Sequence, residues 1–179
     1  MTRSGLLVLA GGLLALTGCV TIDSKLDAKG GGTMTISYAM KESELATVRK
    51  QIEGPHVKVE SAEFKDGRGI FKATVDDAEK INTSKFFEHA TVTLADAKDG
   101  TRDLTLKIGN AKPFKPKPEV VEKLGKNFRL TIELPGEVVR SNGSTTQEAQ
   151  VTWLIPTEEF LSKSENILTA SFKAGKKPA

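Results

Sequence analysis

Apolar and polar side chains alternate one for one along much of this chain, and a period of two commits a segment to a strand with one buried face. Met34, Ile36, Tyr38 and Met40 alternate with Thr33, Thr35 and Ser37, and Phe128, Leu130, Ile132 and Leu134 with Arg129, Thr131 and Glu133. Leu104, Leu106 and Ile108 repeat the pattern, as do Val151, Trp153 and Ile155. Further strands are predicted at 20–27, 57–64, 69–76, 90–97 and 166–173. The second face of these runs is polar, which antiparallel sheets tolerate and doubly covered parallel sheets do not.

Register tests the turns. Lys-Asp-Gly occurs at 65–67 and again at 98–100, each time between two alternating runs. A two-residue turn there buries the wrong faces. A three-residue loop with a left-handed glycine sets Leu94 opposite Leu104, Val92 opposite Leu106, Val57 opposite Val75 and Val59 opposite Ala73. Helices are few. Ser43 is the expected cap of a helix over 44–53, ended by Gly54-Pro55. Pro118 starts a short one that leaves at Gly125, and Asp76-Asp77 opens a helical piece before Asn82. The expectation is an α+β domain: a curved, mostly antiparallel sheet, open or closing toward a barrel, of about seven to nine strands with two or three short helices.

The first eighteen residues are of another kind. Arg3 precedes an uncharged run from Ser4 to Gly18, the pattern of a secretory signal, and the run is too short for a membrane span. Leu16-Thr17-Gly18 leads into Cys19, the one cysteine of the chain, and Leu-small-small-Cys resembles the lipobox of bacterial lipoproteins. That resemblance implies cleavage between Gly18 and Cys19, a diacylglycerol on the thiol, and a further acyl chain such as palmitate on the new amine. Two or three chains on one residue anchor firmly, where one alone is marginal. The expected organisation is a signal peptide at 1–18 and one domain at 19–179, with a Pro/Lys-rich connector at 110–118 and a basic tail at 174–179. Val20 follows the cysteine in place of the aspartate that retains many lipoproteins at the inner membrane. The expected location is therefore the extracytoplasmic side of the envelope, at the outer membrane in a Gram-negative cell. A lone cysteine also leaves no disulfide to staple the fold.

Without residues 1–18 the chain keeps 25 basic and 23 acidic side chains, interspersed, which is no footprint for nucleic acid. Lys112 to Lys117 alternates with proline and Lys173 to Lys177 is terminal; both read as solvated segments, with contact to anionic lipid as the other reading. His56 and His89, the two histidines, lie in no metal-ligand spacing. Gly30-Gly31-Gly32 lies between two strands, without the lysine or helix of a phosphate loop, and no nucleophile elbow occurs. No catalytic residue, metal ligand or cofactor site is predicted, and the reading is non-enzymatic. A cleft bringing His56 or His89 to a carboxylate is what would revive an enzyme.

The densest stretch is Glu133 to Gly143, ELPGEVVRSNG, followed by Val-Thr-Trp at 151–153. Pro135-Gly136 fits a type II turn and Asn142-Gly143 a hairpin, with Trp153 returning on a strand that packs on Leu134 or Val138. The matched positions Pro135, Gly136, Val138, Ser141, Asn142, Gly143, Val151 and Trp153, on a chain with a lipobox cysteine, resemble the LppM-type lipoprotein domain. The resemblance implies a compact domain with a barrel-like curved sheet and a taste for amphipathic lipids or glycolipids, and it carries no catalytic residues. It departs at residues 171–179, where mycobacterial members carry a membrane helix and this chain has no apolar run. The expected function is a lipid-anchored envelope module that holds an amphipathic lipid, glycolipid or similar envelope molecule. The motif residues would border that site. The alternative is an assembly protein that docks an envelope protein partner through a sheet edge or the 110–118 loop.

Overall fold

A computed structural model describes residues 20–110 and 112–173. Gly18 and Cys19, the predicted signal peptide and the tail 174–179 lie outside the described residues. The chain is α+β, with eleven strands and three short α-helices among the described residues. In order these are β1 (Thr21–Leu26), β2 (Gly32–Ala39), α1 (Leu45–Ile52), β3 (Val57–Lys65), β4 (Arg68–Val75), β5 (Ala90–Asp96) and β6 (Thr101–Gly109). Then come α2 (Pro118–Leu124), β7 (Asn127–Glu133), β8 (Val138–Ser141), β9 (Ser144–Gln147), β10 (Gln150–Pro156), α3 (Thr157–Ser162) and β11 (Glu165–Lys173).

The α+β, mostly antiparallel architecture is as expected, with eleven strands where seven to nine were expected, and they divide into two facing sheets. The larger runs β3-β4-β2-β1-β7-β10-β9 and the smaller β5-β6-β11-β8; neither closes into a barrel. Pairing is antiparallel throughout except between β1 and β7. The alternating residues meet between the sheets: Ile36, Phe71, Leu130, Val151 and Trp153 from the larger, Leu104, Leu168 and Phe172 from the smaller. Beyond the edge strand β5 the cover continues in the 3₁₀ turns Ala78–Thr83 and Lys85–Phe87, which pack on β5 and α1. The Ser84 hydroxyl ties them to α1 through the carbonyls of Gln51 and Ile52, at 2.8 and 2.7 Å.

All four predicted cross-strand partnerships are found, but the two Lys-Asp-Gly turns reach them differently. At 98–100 the loop has three residues, with Gly100 at φ 80° and its N–H on the Ala97 carbonyl. At 65–67 the loop has two, Asp66 (φ 52°) and Gly67 (φ 75°), and Lys65 pairs directly with Arg68. The register is restored further on by a bulge at Glu60, between Val59 and Ser61. Bonds from the Lys58 ammonium and the Thr74 hydroxyl hold the bulged Glu60 carboxyl below its ordinary value.

Other local expectations are corrected. Ser43 lies inside a 3₁₀ turn ahead of α1 and caps nothing; the Glu44 carboxylate instead accepts from the Lys41 N–H at 2.9 Å. Pro116 is buried, so the connector 110–118 is moored to the body rather than wholly solvated. Neither Gly136 nor Gly143 has a positive φ, so Pro135-Gly136 makes no type II turn and Asn142-Gly143 no hairpin. Each dipeptide is a crossover between the sheets. Leu134 donates to the Ala149 carbonyl on the larger-sheet side, and three residues later the Glu137 carbonyl accepts from Lys173 in β11. A Cβ at Gly136 would overlap the Lys173 carbonyl oxygen, which is why glycine stands there.

Candidate functional site

The site grows from an inward row on β1, which pairs with β2 and β7 in the middle of the larger sheet. Val20, Ile22, Ser24 and Leu26 share its inner face by the period of two. Ser24 is small and polar where its neighbours are large and apolar, and opposite it the smaller sheet offers Ala90 and Val92 of β5 and Leu106 of β6. The sheets do not fill the space between them there. What remains is a cavity of about 340 Å³ with an almost wholly apolar wall. Its volume is within the range of ligand pockets, roughly 300–1,000 Å³. The larger sheet supplies its floor, β5 and β6 its roof, and Phe86 and Phe87 of the 3₁₀ turns a side.

The two ends of the cavity differ. Around Leu26, Val75 and Leu104 the large apolar lining residues are buried, while Lys25 and Thr33 beside them are exposed. At the other end, where the chain enters β1, the lining residues Val20, Ile22, Phe86, Ile108 and Phe160 are only partly buried, and the His89 side chain is 54% exposed. At this open end the large apolar lining itself reaches solvent, beside the buried Phe87, Ala90 and Phe128. The Phe160 ring stacks on Phe128 at 4.5 Å, and the Arg129 N–H bonds the Val20 carbonyl at 2.9 Å, so the start of the described chain is fastened to the rim.

Tyr38, the chain's one tyrosine, stands behind this rim with its ring 6.2 Å from those of Phe71 and Phe86. Burial, with a smaller contribution from the Glu44 carboxylate, pushes its phenol from 10 up to about 12. The folded chain therefore holds a proton that the unfolded chain releases between pH 10 and 12. This contribution to stability is full below about pH 10 and is lost as the pH rises through that window. Phenolate absorbance of the native protein is expected to rise with a midpoint near 12; a midpoint near 10 would place the ring in water.

The family-motif positions lie elsewhere. None of Pro135, Gly136, Val138, Ser141, Asn142, Gly143, Val151 and Trp153 lines the cavity. They form a clamp on the opposite flank. The Asn142 Oδ1 accepts from the Trp153 Nε1–H on β10 at 2.7 Å and from the Thr169 N–H on β11 at 2.8 Å, while its Nδ2 donates to the Ile167 carbonyl at 2.9 Å. One amide side chain thus joins both sheets. The Ser141 hydroxyl donates to the Gly143 carbonyl, and a Cβ at Gly143 would come within 2.8 Å of the indole.

His56 does reach a carboxylate: its Nδ1 is 2.7 Å from Asp76 Oδ1. The pair sits at the paired ends of β3 and β4, with the aspartate side chain 70% exposed, and it is no part of the cavity wall. His89 is at the rim, but its Nε2 lies 3.7 Å from Glu88 Oε1, beyond hydrogen-bond distance. Among the described residues no three His, Cys, Asp or Glu side chains converge as metal ligands do. The side chains of Ser24, Lys25, Thr33 and His89 are the polar ones among the residues that line the cavity.

No protein-family model and no curated protein matches the chain. Among solved structures it is similar to the folded domain of the Mycobacterium tuberculosis LppM protein, determined by NMR. The two are 11% identical, with a TM-score of 0.53, over 90% of this chain and 94% of that one. The likeness is one of fold, and it agrees with the fold that the sequence resemblance implies.

Proposed function

We propose that this is a lipid-anchored protein of the bacterial envelope that binds, without catalysis, the apolar part of an amphipathic lipid or glycolipid between its two sheets. One observation carries the reading: a cavity of about 340 Å³, walled by aliphatic and aromatic side chains, in a domain whose other inward residues are packed tightly enough to leave Ile36, Phe71 and Val151 no exposure. Close-packed interiors leave few voids larger than a water, so a space of this size is a feature of the fold. An apolar void has little to offer water, which needs two to four polar partners, whereas an acyl chain gains from every wall. The head group of such a ligand would remain at the open end, beside His89. The acylation that the lipobox resemblance implies at Cys19 would hold the domain at the membrane where its ligand is made or carried.

The eleven strands of the two sheets lie within residues 20–173, so a chain beginning at Val20 carries the whole core. Native mass spectrometry of residues 20–179, after incubation with a total envelope lipid extract, is expected to show one saturable adduct of lipid mass. A spectrum with no adduct at saturating lipid would overturn the reading, and the sheet edges would then be searched for a protein partner.

A further inference from the structure

The connector beside the open end carries a second message. Between Gly109 and Pro118 the chain reads Asn-Ala-Lys-Pro-Phe-Lys-Pro-Lys, with three lysines and no acid. It is held in place at several points: the Asn110 N–H bonds the Ser164 carbonyl at 2.9 Å, the Asn110 side-chain amide bonds the Leu161 carbonyl at 2.7 Å, and the Phe114 N–H bonds that same carbonyl at 3.1 Å. Pro116 is buried beneath it. Leu161 follows Phe160, whose ring lines the open end of the cavity, so this mooring places the connector on the rim. Although fastened on both sides, Phe114 is 49% exposed, one of four large apolar side chains so exposed among the described residues. Lys112, Lys115 and Lys117 are exposed around it. Lys115 is 4.0 Å from Glu158, but both side chains are largely in water and such a pair yields readily to another anion.

We propose that this end of the molecule docks on an anionic bilayer surface. Phe114 enters the boundary between head groups and acyl chains, and Lys112, Lys115 and Lys117 meet the lipid phosphates. A rigid aromatic flanked by cations is the combination that such a surface rewards. The position of the chain agrees with it: the anchor expected at Cys19 is adjacent to Val20, which is fastened to the same rim. Docked in this way, the cavity opens toward the bilayer, and a lipid passes between the two without crossing water. The inference rests on the lipid-binding reading for its purpose, but the surface is tested separately.

The probe is the unacylated chain of residues 20–179 with vesicles of phosphatidylglycerol and phosphatidylcholine, against vesicles of phosphatidylcholine alone. Co-sedimentation is expected with the anionic vesicles only, and to weaken with added salt. A lysine near an anionic surface is worth about fivefold in affinity, so K112A/K115A/K117A is expected to lose roughly a hundredfold. Phe114→Ala is expected to lose about tenfold or more. In a Phe114→Trp chain the new indole is expected to shift to the blue and be quenched by brominated lipid above the background of buried Trp153. Because these side chains are exposed, the triple variant should melt with the parent and keep its lipid adduct in the mass spectrum. Equal binding by parent and triple variant, or an indole emission in the Phe114→Trp chain that vesicles leave unchanged, would overturn the docking surface while leaving the cavity reading intact. Loss of the adduct in the parent, with vesicle binding retained, would do the reverse.

Discussion

Replacing Trp153 by alanine is expected to lower the unfolding free energy by about 3–5 kcal/mol, the range for removing a large buried aromatic. The indole is 3% exposed and belongs to the common core of the two sheets. Its Nε1–H is one of two donors to Asn142 Oδ1, so the substitution both empties a packed volume and loosens the side chain that links β10 to β11. At the slope usual for a domain of this size, the melting temperature is expected to fall by roughly ten degrees or more. Trp153→Phe separates the two contributions: it keeps an apolar ring, loses the bond, and is expected to fall between parent and alanine variant. Thermal melts of the three chains decide the matter; an alanine variant as stable as the parent would mean that the clamp between the sheets is not where the structure places it.

The second large effect is on binding. Ser24→Phe is expected to abolish the lipid adduct while leaving the melting temperature unchanged or higher. Position 24 faces the cavity from a central strand, and a phenyl ring there enters space that no protein atom occupies. It gains apolar contacts at the loss of one exposed bond from the serine hydroxyl to the Thr33 carbonyl at 3.2 Å. Most variants that lose a function lose stability with it, so a chain that is at least as stable and no longer binds singles out the cavity. Retention of the full adduct by a folded Ser24→Phe chain would place the ligand elsewhere on the surface.

Much of the site's surroundings was legible in residue order, and the site itself was not. The inward rows on β1, β2, β6 and β7 follow from alternation, and these rows wall the cavity. A hint was present in Ser24, a small polar residue at an inward position between Ile22 and Leu26, where a filled core would have placed a third large side chain. The motif residues from Pro135 to Trp153 drew attention because glycine, proline and asparagine signal turns. Their constraint came from contact instead: a neighbouring carbonyl above Gly136, an indole above Gly143, and a three-bond bridge at Asn142. A dipeptide cannot announce which distant strand will lie upon it.

By itself the sequence determined where the longer strands run, which face of each is buried, and the three-residue turn at 98–100, because a period of two and a turn length are local properties; at 65–67 the cross-strand partners were right but a two-residue turn and a bulge at Glu60 produce them. It determined the short helices at Pro118 and after Asp77 for the same reason, through the conformations those residues prefer. Only the tertiary structure decided that the strands divide into two sheets, that the four-residue strands β8 and β9 exist, and that β1 lies parallel to β7. Alternation says that a face is covered but not what covers it, and a strand of four residues is too short to establish a period. The cavity belongs wholly to this second class. It is the space left when side chains from segments about seventy to one hundred residues apart meet without filling the gap, and no stretch of the chain contains it.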